Sequence, residues 1–223
     1  MPEAWTEDLL ANNDAKATPE SDRSAEPDTT PTRPRSFIEK KIKIVTLQLA
    51  RFLSRWSWIT PNRITVVSAS LGGPVAAWQI YQGNYLVAVA AIAISGILDD
   101  IDGDLARTTG MVSPSGAILD SVLDRYVDFF VISALILMAP EQHLIPGLLA
   151  LLGASLVPYI RARTEAEGKK SVATIGDRTT RLILLVIGIL TQQFFALLII
   201  LAAISHLAAL HRLIFALMPD RQD

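Results

Sequence analysis

Apolar residues in this chain come in long blocks separated by short polar connections. Six blocks are long enough, or nearly so, to cross a bilayer as helices: residues 64–81, 85–106, 115–139, 144–160, 179–190 and 194–217. The fifth is short as an apolar run, and the pattern extends it back to Gly176. Ahead of them the pattern changes. Phe37, Ile38, Ile42, Val45, Leu49, Phe52, Leu53 and Trp56 recur at helical spacing against Lys40, Lys41, Lys43, Arg51 and Arg55. That alternation predicts a basic amphipathic helix over residues 36–59, lying in the membrane interface and drawn there by anionic headgroups. Thr60-Pro61 breaks it and starts the first span. Residues 1–35 are rich in Pro, Ser, Thr and charge. They bury too little apolar surface to offset the entropy of ordering and are expected to form a disordered tail, with at most a weak short helix over residues 4–11. The expected architecture is an all-α integral membrane protein: tail, interfacial helix, and a six-helix domain over residues 60–218.

Composition agrees with that pattern. The 223 residues are 51% hydrophobic and 19% charged, with a mean hydropathy of +0.37, too apolar for an ordinary soluble domain of this length. Residues 1–35 hold eight Asp/Glu against four Lys/Arg, which leaves 16 basic and 14 acidic residues elsewhere from totals of 20 and 22. The net charge of −2 therefore belongs to the tail. The absence of cysteine excludes disulfides and thiolate metal sites. No cleaved targeting segment is evident in the acidic N-terminus, and no 20- to 50-residue repeat appears. Basic residues avoid the connections YQGN, PEQH and TQQ and gather at the others. By the positive-inside rule, both termini face the cytoplasm.

Against this background the stretch LDDIDGDLARTTGMVSPSGAILDSVLD, residues 98–124, is anomalous, because its six aspartates adjoin would-be spans. A mid-membrane carboxylate costs about 2.5 to 3.5 kcal/mol on insertion scales, so such groups need partners. Asp99 and Asp102 are three apart on the second span; Asp120, Asp124 and Asp128 repeat every four on the third. The connection carrying Gly110 and Pro114 is short, so these helices are expected to be antiparallel neighbours with facing acidic stripes. No basic run lies close by in sequence. Either some carboxylates are protonated, or a hard cation such as Mg²⁺ or Mn²⁺ sits among them. Gly103 and Gly116 remove side chains beside the stripe, and Arg107 supplies a cation for a phosphate oxygen. Together they suggest a site for a metal-bound pyrophosphate. Asp100 and Asp104 read as hydrated groups at the interface, Asp128 as the partner of an arginine or a neighbouring span, and Arg125 as a counter-ion.

These residues carry a family resemblance. The pattern D-x2-D-G-x2-A-R-x8-G-x3-D-x3-D resembles the signature of the CDP-alcohol phosphotransferases, matched here by Asp99, Asp102, Gly103, Ala106, Arg107, Gly116, Asp120 and Asp124. TPNRIT, residues 60–65, is similar to the family's TPN-x2-T start of span one. The resemblance implies an enzyme that transfers a substituted phosphate from a CDP-linked donor to an alcohol and releases CMP. By the same resemblance Asp99, Asp102, Asp120 and Asp124 hold two divalent ions, Mg²⁺ or Mn²⁺. Asp124 also takes the proton of the attacking hydroxyl, and Gly103, Ala106, Arg107, Gly116 and Asn62 cradle the CDP moiety. The family further implies a homodimer in the bilayer, most simply a prokaryotic plasma membrane with a cytoplasmic active site, and no nucleic-acid partner. An ion or proton carrier is the competing class, disfavoured because the aspartates gather at one leaflet.

Between spans four and five, PYIRARTEAEGKKSVATIGDRTTRL brings Arg161, Arg163, Arg178 and Arg181 to the rim that also carries the aspartates. Positive-inside bias alone explains such a cluster; a pocket for a phosphorylated acceptor explains it equally. The segment is similar to that of phosphatidylinositol-phosphate synthases and di-inositol-phosphate phosphate synthases, which implies that Arg161, Arg181 and Arg212 bind an acceptor phosphate. It departs from their usual pattern in Asp177, where Glu is common, and in His211 beside Arg212. The acceptor stands as inositol phosphate or glycerol phosphate, and the donor as CDP-diacylglycerol with CDP-inositol as the alternative. His206 and His211 lie five apart, off a common face, and read as a polar helix end rather than a metal site.

Overall fold

A computed structural model describes residues 37–56, 58–172 and 178–218 of the chain. The expected tail over residues 1–35, the short helix over 4–11, Gly176 and Asp177 lie outside the described residues. One compact unit runs Glu39–Asp223, and of the other, Met1–Ile38, only Phe37 and Ile38 are described. Every regular element among the described residues is helical.

Helix α1 spans Phe37–Leu53, shorter than the 36–59 expected of the amphipathic segment. After Leu53 the backbone closes into turns, with Trp56 N donating to Leu53 O and Ile59 N to Trp56 O. Helix α2 (Pro61–Ser70) starts with proline at its first position, where the missing N–H costs nothing and the fixed φ already suits a helix. It continues through one π-helical turn, Leu71–Val75, into α3 (Ala76–Tyr81). Pro74 lies inside that turn. Because it offers no N–H and its ring crowds the preceding turn, the backbone widens there instead of breaking.

Helix α4 (Tyr85–Thr109) ends at Gly110, whose φ of 69° is the left-handed conformation a C-terminal glycine adopts freely. Helix α5 (Pro114–Met138) begins at the next opportunity: Ser113 caps it by accepting from Gly116 N at 3.1 Å. So short a connection brings the two acidic ends together, but α4 and α5 are not the direct neighbours that the sequence predicts: α2, the π turn and α3 pack against both and stand between them. Helix α6 (Pro140–Ala166) runs through Pro146 and Pro158 unbroken. Proline at 158 leaves the carbonyl four residues earlier, that of Ala154, without its helical donor, and Arg125 of α5 donates to it at 3.3 Å. Helices α7 (Arg178–Leu190) and α8 (Phe194–Leu217) complete the bundle.

The main apolar core gathers α3, α4, α5, α7 and α8 around Ile80, Ile92, Leu135, Ile189 and Leu198. A smaller one, Ala50, Ile64, Ile101 and Leu105, seats α1 against α2 and the C-terminal half of α4. Small residues permit close crossings: a Cβ on Gly72 would fall 2.7 Å from that of Ser95. There Ser68 Oγ donates to Ser95 O at 2.8 Å. Among the described residues, α6 and α8 are long and apolar enough to cross a membrane by length and composition. The acidic ends of α4 and α5, and the 13 residues of α7, place those helices below that standard.

Candidate active site

Helical periodicity brings Asp99 of α4 together with Asp120 and Asp124 of α5 at the joined ends of the two helices. One carboxylate oxygen each from Asp99, Asp120 and Asp124 lies within 4.8 Å of the other two. Asp102, the fourth expected ligand, stands outside this triple, 7% exposed. Its Oδ2 is buried without a hydrogen-bond partner, as is Oδ1 of Asp120. Orphaned buried carboxylate oxygens are costly, and an all-oxygen anionic donor set suits a hard divalent cation. The residues therefore fit Mg²⁺ or Mn²⁺.

The glycines and polar residues of the motif pair off around this cluster. A Cβ on Gly116 would lie 3.2 Å from Asn62 Oδ1, so the start of α5 meets the start of α2. A Cβ on Gly103 would lie 3.3 Å from Arg107 Nη2, because a long helical side chain leans back over the turn before it. Ala106 is half-buried beside them, its carbonyl receiving Met111 N at 2.9 Å in the α4 terminus.

Apart from Arg125, beside Asp124 in the chain, the neutralising cations come from distant sequence. Arg178, at the start of α7, pairs with Asp99 and, at 2.8 Å, with Asp124 Oδ1. Sequence reasoning places Arg178 on the right rim but gives it no carboxylate; its spacing from Arg181 and the positive-inside bias are the only signals for it. Arg125 lies 3.7 Å from Asp124 and 3.8 Å from Asp128, and Arg181 binds Asp128 at 3.1 Å.

Asp104 corrects an expectation. Read as a hydrated interface residue, it is fully buried, 0% exposed, because α1 lies across that end of α4. Lys43 and Arg107, the latter at 2.7 Å, both reach its Oδ1, and Thr46 Oγ1 donates to Oδ2 at 2.8 Å. Asp100 is exposed, as expected of it.

The three arginines expected at an acceptor phosphate are dispersed in their contacts. Arg161 is exposed and pairs with Glu165 at 2.8 Å along its own helix. Arg181 is buried with Asp128, and Arg212 is buried on α8, donating to Val157 O at 3.3 Å. His206 meets the carbonyl of Leu149 on α6 at 3.1 Å, bridging two helices, while the His211 ring lies tilted against Phe215 one turn along the same helix.

Comparison with known proteins follows the same lines. The chain is 32% identical over 154 residues to an archaetidylinositol phosphate synthase of Pyrococcus horikoshii, covering 69% of this chain and 80% of that one. It is 34% identical over 161 residues to a bifunctional IPC transferase and DIPP synthase of Rubrobacter xylanophilus, 70% of this chain but only 37% of that protein. Its fold matches the Mycobacterium tuberculosis phosphatidylinositol phosphate synthase solved with CDP-DAG bound, at a TM-score of 0.71 and 24% identity over 81% of this chain and 98% of that one. The same enzyme in complex with manganese and citrate matches at 0.70 and 25% identity over 80% and 92%. The family model described as CDP-alcohol phosphatidyltransferase matches residues 58–217, which contain every aspartate of the cluster. This chain belongs to the CDP-alcohol phosphatidyltransferase family and is a transferase.

Proposed function

We propose that the protein transfers the phosphatidyl group of CDP-diacylglycerol to a hydroxyl of a phosphorylated polyol, inositol phosphate first and glycerol phosphate second, with release of CMP. The observation that carries this reading is the convergence of Asp99, Asp120 and Asp124 within 4.8 Å beside buried, unpartnered carboxylate oxygens. The acceptor oxygen attacks the phosphatidyl phosphorus as the bond from that phosphorus to the CMP oxygen breaks, and the hydroxyl proton passes to Asp124. Asp99, Asp102, Asp120 and Asp124 would hold two divalent ions, which when bound would supply charge neutralisation for the diphosphate and the leaving CMP. Asn62 and Gly116 form one wall of the CDP site, and Gly103, Ala106 and Arg107 the other; bare backbone lets the nucleotide approach while the guanidinium meets a phosphate oxygen. Arg161, Arg181 and Arg212 hold the phosphate of the acceptor, which orients its hydroxyl in line.

The reaction suits a bilayer setting. Val67, Leu86, Ile118, Leu137, Ile145 and Leu207, drawn from different helices, are each more than half exposed, an outer surface that water would not tolerate. We read α2 with α3, and α4 to α8 singly, as six transmembrane spans, residues 36–59 as the interfacial segment, and residues 60–218 as the catalytic domain. In α1 the side facing the protein is Lys43, Thr46 and Ala50, while Val45, Leu49 and Phe52 stay exposed, an apolar face that a bilayer interface covers. The protein then works as a homodimer in a prokaryotic plasma membrane, with its active site on the cytoplasmic side.

Likeness to the bifunctional IPC transferase and DIPP synthase favours a second reading, in which the donor is soluble CDP-inositol. One experiment separates them. Purified protein with Mg²⁺ or Mn²⁺ is given each donor with inositol phosphate, glycerol phosphate or serine, and CMP is measured. Release is expected from CDP-diacylglycerol with a phosphorylated polyol, and Asp124→Asn is expected to lower it by about 10²- to 10⁴-fold, the scale of a lost general base. Release from CDP-inositol alone moves the assignment to the second reading, and full turnover by the variant removes Asp124 from its role.

A further inference from the structure

Asp104 sits outside the motif frame, yet no carboxylate in the described chain is more enclosed or better supplied with donors. It is 0% exposed, and both of its oxygens are engaged. Lys43 and Thr46 reach it from α1; Arg107 reaches it from the next turn of α4, with Nη2 2.7 Å from Oδ1. Arg107 keeps a side chain 61% exposed, so the rest of its guanidinium fork is available on the side of Gly103. A free arginine at that position would sample several rotamers. Bound to Asp104, it lies folded over the bare backbone of Gly103, where any side chain would crowd it at 3.3 Å.

Charge supports the same conclusion. Lys43 and Arg107 share one oxygen of Asp104, so Asp104 alone does not cancel the Arg107 charge, and the guanidinium keeps charge to offer an anion. The small apolar cluster Ala50, Ile64, Ile101 and Leu105 fixes α1 on α4 at this level, so Lys43 and Thr46 arrive only when α1 is seated.

We propose that Asp104 is a positioning residue for the CDP-donor site: it holds Arg107 over Gly103 in the orientation that receives the diphosphate, and through Lys43 and Thr46 it makes that orientation depend on the seating of α1. This rests on the assignment of Arg107 to the donor. A helix lying at the membrane surface is thereby coupled to the capture of a donor whose lipid tails lie in the same membrane. Asp104 touches no reacting atom; its effect passes through Arg107.

The test compares wild type, Asp104→Asn, Arg107→Ala, the double variant and Lys43→Met/Thr46→Val in CDP-diacylglycerol micelles with Mn²⁺, following CMP release against donor and acceptor separately. Binding of CDP by titration calorimetry gives a readout independent of turnover. Asp104→Asn is expected to raise the donor KM about tenfold, the scale of one charge-assisted hydrogen bond, with kcat and the acceptor KM little changed. CDP affinity falls in parallel. The double variant should be no worse than Arg107→Ala, because the two residues act in series. Lys43→Met/Thr46→Val, which leaves Asp104 and Arg107 in place but removes the contacts that tie Asp104 to α1, should raise the donor KM by a smaller factor and carries the test if Asp104→Asn does not fold. Donor KM and CDP affinity unchanged in Asp104→Asn, or in the α1 pair when that is the variant available, overturn the proposal. So do losses that multiply in the double variant, or that fall equally on kcat and the acceptor. If wild type releases no CMP from any donor, the functional assignment itself fails, whereas a wild type that turns over while Arg107→Ala binds CDP normally removes only the donor role of Arg107 and this inference with it.

Discussion

Asp102 and Asp120 each end in an oxygen that the protein buries and does not satisfy, which is an expensive arrangement for a folded chain to keep unless something else binds there. A cation bound by the native state and not by the unfolded chain stabilises in proportion to its occupancy, by about 2.7 kcal/mol at a hundred times its dissociation constant. Mn²⁺ is therefore expected to raise the melting temperature of the detergent-solubilised protein by several degrees, and Asp120→Asn to remove more than half of that rise. A wild-type melting temperature indifferent to Mn²⁺ would count against the cluster as a metal site. At this scale the sequence is legible where geometry is local. The spacings Asp99–Asp102 and Asp120–Asp124 fix shared helix faces, so their convergence needs only a short connection at Gly110 to Ser113. Arg178 on Asp99 and Asp124, or Lys43 and Thr46 on Asp104, depends on which helices touch. A lone aspartate beside the motif looks hydrated until α1 is laid over it.

Helices are the most readable elements, because the expected spans and α2 to α8 differ chiefly at their ends. What the pattern misses is the backbone's response to crowding. Sequence offers Pro74 and two adjacent glycines in one apolar run; the structure resolves them as a π turn where α2 and α4 cross closely. Likewise the expected span 144–160 runs through Pro158 and so does α6, but the pattern does not show that Arg125 donates to the carbonyl the proline strands. The crossing has a direct test. Gly72→Ala would put its Cβ 2.7 Å from the Cβ of Ser95, and overpacking of that kind costs about 1 to 3 kcal/mol. Adding Ser95→Gly removes the obstructing atoms and should return at least half of the loss, despite the forfeited contact with Ser68 Oγ at 3.1 Å. The midpoint of denaturation in mixed detergent measures both steps. If the two substitutions simply add, the helices are not in contact there.

For the whole molecule the decisive relation is between charge and the two ends of the bundle. The connections at Gln82 to Asn84, at Ala139 to Gln142 and at Thr191 to Gln193 carry no Lys or Arg, while Arg107, Arg161, Arg163, Lys169 and Arg178 lie at the ends shared with the aspartate cluster. Translocating a basic connection is unfavourable, so the proposed orientation, with the aspartate end on the cytoplasmic side, predicts which connections a reagent reaches from each face. The chain contains no cysteine, so single reporters can be placed without removing native thiols. Cysteine replacing Gln82 or Gln142 should react with a membrane-impermeant maleimide in right-side-out vesicles. Cysteine replacing Met111 or Lys170, both exposed and at the opposite end, should react only in inverted vesicles. Gln82 and Met111 flank α4, so labelling of both from one side would show that α4 does not cross. Gln142 and Lys170 test α6 in the same way, and its failure would bring the acceptor arginines to the wrong face of the membrane for chemistry at Asp124.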